Sequence, residues 1–542
     1  MDAALASSNE SDTDAEPPSR SVAGNVRLIS GCTFLSRILG LVRDAGMAMT
    51  FGNGLLMDAF TIAFRVPNLA RRLFGEGALT AAFLPAFVAE QEQSGPAAAA
   101  RLARGVLATL SVVLLVVIVL AELGIAAFAA LSNPTPATEL LLLLTAILLP
   151  YLGFICLSAQ LSAILHGENQ FLAPALVPIV LNVVWIAGLV GVTIGIDDPK
   201  TQMIGLAILV VFAGFLQFVL PAGVLTRRGF PLLGGWRAAK TQVTHVWRGV
   251  LPILGGLAVT QLNPLIDSFI AWAFSADGDA TSSYALATGT ASALYLGQRL
   301  FQFPIGVFGV ALGTVLFPRL AKSASQHDFA AVRKQLAFGL RLVSYVTIPA
   351  TAGLMLLAEP LTDLLFRHGA FDNEDARQTS AMILAYGAGV WSVCGLLIVN
   401  RTFYALGNRV TPLRLGLLAL VANIVLDFML LPVCGGSGLA WATSISLTLQ
   451  LAASIVCLRQ ILGSFLDRTL ARTIMQSVFA TTLMTMAVIA LLYFLPATDT
   501  LLWRLLRVGL PFFVAVVIYA VVTWRLRMPE FGELLGRDDR SE

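Results

Sequence analysis

The sequence has 542 residues, of which 57% are hydrophobic and only 12% are charged. A soluble protein carries about twice that share of charge, so the composition excludes a soluble globular protein and indicates a polytopic membrane protein. The formal net charge of +3 implies nothing about a partner, because the positions of the charges matter more than their sum.

Apolar runs after residue 25 predict fourteen membrane spans, because about 20 apolar residues cross a bilayer. The predicted spans are 27–51, 57–90, 103–131, 137–165, 171–196, 201–226, 247–275, 283–320, 334–357, 379–405, 411–433, 437–461, 471–495 and 505–526. Spans 2 and 8 are too long for plain crossings, so each must continue as a helix beyond the membrane or be broken inside it. Pro67 and Pro304 are the expected break points.

The charges in the loops predict the orientation of the spans. Basic residues such as Arg227 and Arg228 are concentrated in the loops on the side of the N-terminus, so both termini are predicted to be cytoplasmic. Arg504 and Arg507 depart from this pattern. Because Trp503 lies beside them, we interpret them as an anchor at the outer membrane interface.

An internal repeat relates spans 1–6 to spans 7–12. The matching positions are Leu79 to Pro85 with Leu312 to Pro318, and Gly167 and Asn182 with Gly407 and Asn423. The predicted fold class is therefore an all-α polytopic membrane protein with 14 transmembrane helices, in two pseudo-symmetric six-helix lobes plus two C-terminal helices. Parallel repeats of this kind place a transport site between the halves. Coincidence between similar apolar strings is the alternative.

The repeat and the loops divide the chain into six predicted regions. These are a disordered cytoplasmic N-terminus (1–25), an N-lobe (26–228), a cytoplasmic linker (229–245), a C-lobe (246–462), a C-terminal helix pair (463–528) and a cytoplasmic tail (529–542). The first region is predicted to be disordered because it is rich in Ser, Asp, Glu and Pro.

The segment from Ser36 to Glu90 carries many charges on an apolar background. Each arginine exposed to lipid at the bilayer centre costs roughly 2.5–3.5 kcal/mol even on a mild insertion scale. These charges are therefore predicted to face a hydrated cavity or to lie near an interface; they are Arg37, Arg43, Asp44, Asp58, Arg65, Arg71, Arg72 and Glu76. Guanidinium groups bind phosphate and carboxylate bidentately, so an arginine-rich interior indicates an anionic substrate.

Helix periodicity separates the arginines of span 1. Arg37 and Asp44 are seven residues apart and share a helix face, so they are expected to neutralise each other in part. Arg43 points elsewhere and is expected to be freer to meet a substrate.

In span 2, Arg72 is expected to pair with Glu76 at i+4, which makes Arg71 the better ligand candidate. In span 8, Arg299 stands in an otherwise uncharged stretch, and anion binding and a salt bridge to an intramembrane carboxylate are its two interpretations. The glycines at 306, 309 and 313 are expected to permit close helix packing.

A second polar constellation is acidic. Asp267 lies in span 7, Asn423 and Asp427 share one face of span 11, and Thr443 lies early in span 12. Oxygen ligands from three helices suit a hard cation such as Na⁺, or a proton site. An interhelical hydrogen-bond network is the alternative. Catalytic and metal-binding motifs are lacking in the sequence, which predicts a transporter and not an enzyme.

The arginine-rich opening carries a resemblance to a known family. The motif is Ser36-Arg37 … Gly40-x-x-Arg43-Asp44 … Asp58-Ala59-Phe60 … Pro67-Asn68-Leu69-x-Arg71-Arg72 … Glu76-Gly77-Ala78 … Phe83-x-Pro85. It closely resembles the MurJ/MviN family of lipid II flippases, which belong to the multidrug/oligosaccharidyl-lipid/polysaccharide exporter superfamily. Arg299-x-x-x-Phe303-Pro304-x-Gly306 is similar to the eighth helix of the same family.

The resemblance implies a V-shaped central cavity between the lobes and a groove for a polyprenyl tail on helices 13 and 14. It assigns the substrate's pyrophosphate to Arg37, Arg43, Arg71 and Arg299, and roles in the cavity or in gating to Ser36, Asp58, Asn68, Arg72 and Glu76. It implies a sodium site formed by Asp267, Asn423, Asp427, the Leu439 carbonyl and Thr443. Gln298, Gln302 and Asn408 stand where acids are frequent in the family.

By the same resemblance, the expected function is transport of lipid II from the cytoplasmic to the periplasmic leaflet of a bacterial inner membrane by alternating access. The expected partners are lipid II, membrane lipids and the cell-wall synthesis machinery, with no nucleic acid, no cofactor and a monomeric chain. Energy is expected from the membrane potential and from Na⁺ or H⁺ coupling. The alternatives are a flippase for another polyprenyl-diphosphate glycan, a multidrug exporter, a non-transporting membrane scaffold and an enzyme acting on lipid diphosphates.

Overall fold

The computed structural model describes residues 22–232, 234, 239–275, 286–496 and 500–534, and nearly all of these residues are helical. The residues outside this description include most of the predicted disordered N-terminus, residues 233 and 235–238 of the predicted linker, the loop at 276–285 and the tail from 535. Residues 22–25, which were included in that disordered segment, belong to the first helix.

Within the described residues, fourteen long helices correspond in order to the fourteen predicted spans. They are α1 (Val22–Phe51), α2 (Leu55–Ser94), α3 (Pro96–Ser132), α4 (Pro136–Gly167), α5 (Leu172–Gly195), α6 (Pro199–Arg227), α7 (Lys240–Ala273), α8 (Thr290–Ser325), α9 (Phe329–Leu356), α10 (Asn373–Ala405), α11 (Val410–Cys434), α12 (Ser437–Leu462), α13 (Arg468–Phe494) and α14 (Leu501–Arg525). Short helices Ala358–Leu365 and Pro529–Leu534 follow α9 and α14.

By length and composition, twelve of these helices can cross a membrane, and α1 and α7 are the two outside that set. The polytopic, all-helical fold class is therefore confirmed, and the number of long helices agrees with the predicted number of spans.

Helix ends follow local sequence signals. Asp198, Asp328 and Asp467 are N-caps whose carboxylates each accept a hydrogen bond from a backbone N–H of the following turn. Pro96 stands at the first turn of α3, where no intrahelical donor is lost. Gly463 ends α12 with a φ of +80°, a conformation that glycine adopts without strain.

The two overlong helices are not broken at their prolines. Instead, α2 contains a π-helical stretch at Arg71–Ala78, after Pro67, and α8 contains one at Ile305–Gly309, directly after Pro304. The predicted breaks are thus replaced by local widening of a continuous helix, which keeps backbone groups paired within the apolar region. Both stretches lie in the second helix of a half, as the internal repeat requires.

Helix packing repeats between the halves. In the first half, α1 packs against α5, α4 packs against α2 and α3, and α6 packs against α4 and α5. The second half repeats these pairings with α7 against α11, α10 against α8 and α9, and α12 against α10 and α11. This confirms two pseudo-symmetric six-helix lobes. The additional pair stands outside the repeat, with α13 against α9 and α14 against α13 and the short helix Ala358–Leu365.

The lobes meet mainly where α2 contacts α7 and α8. On its other side, α2 is fixed to the N-lobe by aromatic packing, since the rings of Phe60 and Phe64 lie 5.4 and 4.9 Å from the ring of Trp185 on α5. Such edge-on aromatic contacts add to the stability that burial provides. The charged residues of α2 are thereby held toward the other lobe.

Candidate functional site

A bridging cluster of five polar residues joins α1 and α5 of the N-lobe to α8 of the C-lobe; it consists of Arg43, Asp44, Asn182, Tyr295 and Arg299. One carboxylate oxygen of Asp44 lies 2.7 Å from Nη2 of Arg43, and the other lies 2.9 Å from Nε of Arg299. The Tyr295 hydroxyl accepts a hydrogen bond from Nη2 of Arg299 at 2.8 Å and lies 3.3 Å from Asp44 Oδ1. One carboxylate therefore holds two guanidinium groups from different lobes.

The expectation that Arg43 is the freer arginine is wrong in this conformation. Arg43 is 3% exposed, donates through Nη1 to Asn182 Oδ1 at 3.1 Å and lies 4.4 Å over the ring of Trp185. Helix periodicity suggested that Asp44 would pair with Arg37, but the long side chain of Arg43 reaches its neighbour directly.

For Arg299, the salt bridge to an intramembrane carboxylate is observed. Its side chain nevertheless remains 35% exposed, against 5% for that of Asp44. Its guanidinium can therefore also meet a ligand, and the anion-binding interpretation stays open.

A central cavity of about 50 Å³ lies between the lobes beside this cluster. Its polar lining consists of Arg65, Asn68, Arg72, Gln261, Tyr295, Gln298, Arg299 and Gln302, and its apolar lining of Leu69, Pro264 and Leu265. Among the described side chains, the lining contains three arginines and no carboxylate, so this part of the cavity attracts anions. The volume accommodates a few water molecules, so a lipid headgroup requires the lobes to separate.

The arginines of α2 are arranged differently from the prediction. Arg65 donates to the Pro264 carbonyl at 2.7 Å and Arg72 donates to Gln261 Oε1 at 2.9 Å, so both arginines contact α7 across the cavity. Arg71, the predicted ligand, donates through Nε to Asn68 Oδ1 at 3.0 Å and is not among the residues that line the cavity.

The side chain of Glu76 lies outside the described residues, so its predicted pairing with Arg72 stays a prediction. Arg65 was among the charges predicted to face a cavity or an interface, and it lines the cavity, although no substrate role was assigned to it. Tyr295 is a site residue that the sequence analysis did not select.

The predicted glycine face of α8 leaves room for arginine side chains as well as for a neighbouring helix. A Cβ at Gly306 would lie 3.1 Å from Nη1 of Arg37, and a Cβ at Gly313 would lie 2.9 Å from Cζ of Arg401 on α10. With Arg299, which is part of α8, three guanidinium groups therefore lie at successive points along this helix. Only Gly309 serves helix packing alone, against Cys394 and Leu397.

A second contact between the lobes, which we call the distal seam, lies at the helix ends away from the N-terminus of α1. It comprises Met49, Asn53 and Asp58 of the N-lobe and Gly289, Ser292, Ala370, Asp375 and Thr379 of the C-lobe. Asp58 is 1% exposed and accepts hydrogen bonds from the Gly289 N–H at 2.7 Å and the Ser292 N–H at 2.6 Å. An N-lobe carboxylate therefore caps the N-terminus of α8, where unpaired N–H groups and the helix dipole favour negative charge.

Asn53 closes the same seam beside Asp58. Its backbone N–H donates to Asp375 Oδ2 at 3.0 Å, and its side chain donates to Thr379 Oγ1 at 2.9 Å. Gly289 has a φ of +89°, and a Cβ there would lie 2.4 Å from the Asn53 carbonyl oxygen, so the backbones meet where only glycine fits. Ser36, by contrast, lies within the N-lobe, where its carbonyl accepts from Asn182 Nδ2 at 3.0 Å.

The predicted cation ligands also come together, within the C-lobe. Nδ2 of Asn423 lies 3.1 Å from Asp267 Oδ1 and 3.0 Å from Asp427 Oδ2, and Thr443 Oγ1 donates to Asp267 Oδ2 at 3.1 Å. All of these contacts form a hydrogen-bond network, which was the alternative interpretation. Asn263 joins the network through Asp267 at 3.4 Å and was not predicted.

The donor set also fits a hard monovalent cation. Asp267 and Asp427 are 2% and 0% exposed, and Asp427 Oδ1 is buried with no hydrogen-bond partner among the described residues. Leu439 is fully buried in the first turn of α12. The described residues contain no group of three or more His, Cys, Asp or Glu side chains suited to a metal ion, so a transition-metal site has no support there.

The repeated lobes, the arginine-lined cavity between them and the closed distal seam are features of a two-lobed membrane transporter. Residues 47–506 match the protein family described as "Lipid II flippase MurJ". The chain belongs to this family.

Two relatives give the extent of the similarity. A protein of Vibrio cholerae described as "Probable lipid II flippase MurJ" is 34% identical over 438 residues, which cover 78% of this chain and 80% of the relative. The "Lipid II flippase MurJ" of Burkholderia cenocepacia is 31% identical over 434 residues, which cover 78% of this chain and 81% of the relative.

Solved structures support the fold. A lipid II flippase MurJ in an inward closed conformation matches with a TM-score of 0.74 at 24% identity, covering 92% of this chain and 99% of that one. An inward-facing multidrug resistance transporter of the MATE family matches with a TM-score of 0.64 at 13% identity, covering 81% and 98%. At these identities the likeness concerns the fold alone.

Proposed function

We propose that this chain is a flippase that moves lipid II from the cytoplasmic to the periplasmic leaflet of a bacterial inner membrane. Membership of the family supports this function, and the observation that carries it is the central cavity, whose described lining has three arginines and no carboxylate. A diphosphate is the anionic group that lipid II offers, and guanidinium groups bind phosphate oxygens in pairs. The chain acts as a transporter and forms no covalent intermediate.

Alternating access follows from the two contacts between the lobes. The distal seam is closed by backbone and side-chain hydrogen bonds, and the cavity is too small for a headgroup, so this conformation is closed to substrate. Separation of the lobes on the side of the termini would admit the diphosphate to Arg65, Arg72 and Arg299. Separation at the distal seam would then release it to the opposite leaflet, while the polyprenyl tail remains in lipid along α13 and α14.

The orientation sets the energetics. With cytoplasmic termini, the distal seam faces the periplasm, and an inside-negative potential favours outward movement of an anion. At about 2.3 kcal/mol per charge per 100 mV, a dianionic diphosphate gains about 4–5 kcal/mol if its charge is not compensated. Flipping that continues unchanged after both the potential and the Na⁺ gradient are removed would contradict this account.

Asp267, Asn423, Asp427 and Thr443, with the Leu439 carbonyl, would hold Na⁺ in the C-lobe. Asp267 and Asp427 are two buried carboxylates that both accept from the side-chain amide of Asn423. A bound Na⁺ would supply positive charge between them. A proton on either carboxylate would serve the same purpose, which is why Na⁺ and H⁺ both remain candidates for coupling. The chain is proposed to act as a monomer, and the cell-wall synthesis machinery is proposed as its protein partner.

Replacing Asp427 by asparagine is expected to weaken Na⁺ binding by about tenfold or more, because the site loses one of its two carboxylates. Calorimetric titration of the purified full-length protein with NaCl, at constant ionic strength with choline chloride, measures this affinity. Asp328→Asn is the matched control, because Asp328 is an exposed N-cap of α9. Equal Na⁺ affinity in the parent and Asp427→Asn would contradict the sodium site, and these residues would then form a hydrogen-bond network without a cation.

Complementation tests the proposed function itself. In bacteria depleted of their own lipid II flippase, the parent chain is expected to restore growth. Arg43→Ala and Arg299→Ala are expected to fail at matched membrane levels, because each removes a guanidinium from the bridging cluster. Arg525→Ala, at the exposed end of α14, is the charge-matched control and is expected to restore growth.

Each other result of that experiment has a definite meaning. Rescue by all variants would preserve the function but contradict the role of the arginines. Failure of a well-expressed parent would favour a flippase for another polyprenyl-diphosphate glycan, or a non-transporting scaffold. Competition binding between lipid II and the other glycolipid separates these two.

A further inference from the structure

Arg504, near the start of α14, does not act as the interface anchor that the sequence suggested. It is 9% exposed, and its Nη1 lies 2.6 Å from the Arg367 carbonyl oxygen and 3.0 Å from the Asp363 carbonyl oxygen. The same nitrogen lies 3.3 Å from Nδ1 of His368. Its guanidinium therefore binds the segment that connects α9 to α10, and not lipid headgroups.

This contact helps to fix the backbone of the segment that connects α9 to α10. The short helix Ala358–Leu365 ends here, so its last carbonyls have no partner within the helix. Arg504 supplies a charged donor to Asp363, and an ion pair of 3.2 Å between Arg367 and Asp363 holds the same turn. Without Arg504, buried carbonyl groups would lose a charge-assisted hydrogen bond, which weakens one of the contacts that hold the segment.

The segment held by Arg504 continues directly into the distal seam. The Ala370 N–H donates to the carbonyl of Met49, at the end of α1, at 2.8 Å. Gly369 has a φ of +59°, and a Cβ there would lie 2.4 Å from the same carbonyl oxygen, so the two backbones are in direct contact. Phe366 and Phe371 are buried beside this contact in one apolar cluster with Ala48.

The N-lobe half of the seam, the connecting segment and α14 thus form one continuous series of contacts. α14 also belongs to the helix pair outside the lobes, whose outward side is apolar; its exposed residues include Leu501, Leu505, Phe512, Phe513 and Val516. Any shift of α14 relative to the C-lobe must either break the contacts of Arg504 or move the connecting segment.

We infer that Arg504 is a positioning residue that couples the α13–α14 pair to opening of the distal seam. The inference rests on the proposed function in one respect, since the polyprenyl tail of the substrate is the occupant of the apolar side of that pair. Occupancy by the tail shifts α14, and Arg504 transmits the shift to the segment that closes the seam. The seam is the two-state element that both the tail and the headgroup bias, and such coupling is reciprocal.

The first test measures opening of the seam without any lipid substrate. Ala48, near the end of α1, is 0% exposed and lies in one apolar cluster with Phe366 and Phe371 of the connecting segment, so Ala48→Cys reports opening of the seam through its labelling rate with a membrane-impermeant maleimide. The full-length protein carries Cys434→Ser as well, because Cys434 is the exposed native cysteine. Arg504→Gln is expected to raise the labelling rate about tenfold, the factor for losing one hydrogen bond to a charged group.

Two further variants make this test decisive. Arg525→Gln removes the same charge from the exposed end of α14 and is expected to label at the parent rate. Arg504→Lys keeps a charged donor but has no planar fork to reach several acceptors at once, so it is expected to label at an intermediate rate. A parent-like labelling rate in Arg504→Gln would overturn the inference. If the glutamine variant does not reach the membrane, a parent-like labelling rate in Arg504→Lys would overturn it instead.

The second test adds undecaprenyl diphosphate in proteoliposomes, which supplies the tail and the diphosphate without the sugar and peptide. The lipid is expected to change the labelling rate of the parent and of Arg525→Gln, and to change that of Arg504→Gln much less. An equal change in all three would show that tail binding reaches the seam by another route. Lack of any lipid binding to the parent would contradict the proposed function, whereas the first test, which uses no lipid, would still stand.

Discussion

Replacing Asp44 by asparagine is expected to abolish flipping and to destabilise the folded protein by about 3–5 kcal/mol, the range for removing one partner of a buried ion pair. Asp44 is the carboxylate between Arg43 and Arg299, and Arg43 is 3% exposed. In this variant the guanidinium of Arg43 would remain buried without a counter-charge. Equilibrium unfolding in detergent measures stability, and complementation at matched expression measures function.

The matched control for this prediction is Asp198→Asn, which makes the same chemical change at an exposed N-cap of α6. Asparagine caps helices about as well as aspartate, so this variant is expected to retain stability and function. The double variant Arg43→Gln with Asp44→Asn removes both buried charges and is expected to recover part of the lost stability without restoring flipping. Equal stability of Asp44→Asn and the parent would mean that Arg43 is neutralised by another group.

Much of the fold was predictable because the bilayer imposes a simple rule on sequence. A span needs a long apolar run, and fourteen such runs matched fourteen helices in order. The repeat was visible because short motifs recur at equal positions in the two halves. The π-helical stretches were not predictable, since proline signals a disturbance of the helix without specifying whether the helix ends or widens.

The candidate site was predictable in residue type and less so in pairing. The cost of burying arginine in a membrane singled out Arg37, Arg43 and Arg299, but their partners depend on tertiary contacts. The ion pair between Asp44 and Arg299 joins helices from different lobes, and helix periodicity within one span cannot reveal it. Arg504 shows the same limit, because charge counting assigned it to an interface while its carbonyl partners lie 137 and 141 residues away in the chain.

The charges of the bridging cluster give an anionic substrate a way to weaken one contact between the lobes. The bridging cluster holds the lobes together beside the cavity with one carboxylate shared between two arginines. A diphosphate brings negative charge of its own, so it can compete with Asp44 for Arg299, whose side chain is 35% exposed. Substrate binding would then weaken a contact between the lobes, which is how a ligand shifts a conformational equilibrium through differential affinity.

Replacing Asp58 by asparagine is expected to open the distal seam and to abolish complementation. The carboxylate accepts from two backbone N–H groups and from the Ser292 hydroxyl, at 2.6 to 2.7 Å, and an amide presents only one acceptor atom to these donors. Loss of one hydrogen bond to a charged group costs about 1.5–3 kcal/mol, which corresponds to about a 10- to 100-fold rise in the open population. Distance measurement between spin labels on α1 and α10 in the full-length protein detects this shift.

Asp467→Asn is the matched control for Asp58. Asp467 is the N-cap of α13, and its carboxylate accepts from the Leu470 N–H of the same helix, so this hydrogen bond does not connect the two lobes. This control is expected to keep the parent distance distribution and to complement. A parent-like distribution in Asp58→Asn together with lost complementation would assign Asp58 to another step. An open seam with full complementation would show that sealing the distal side is dispensable for flipping, which contradicts alternating access.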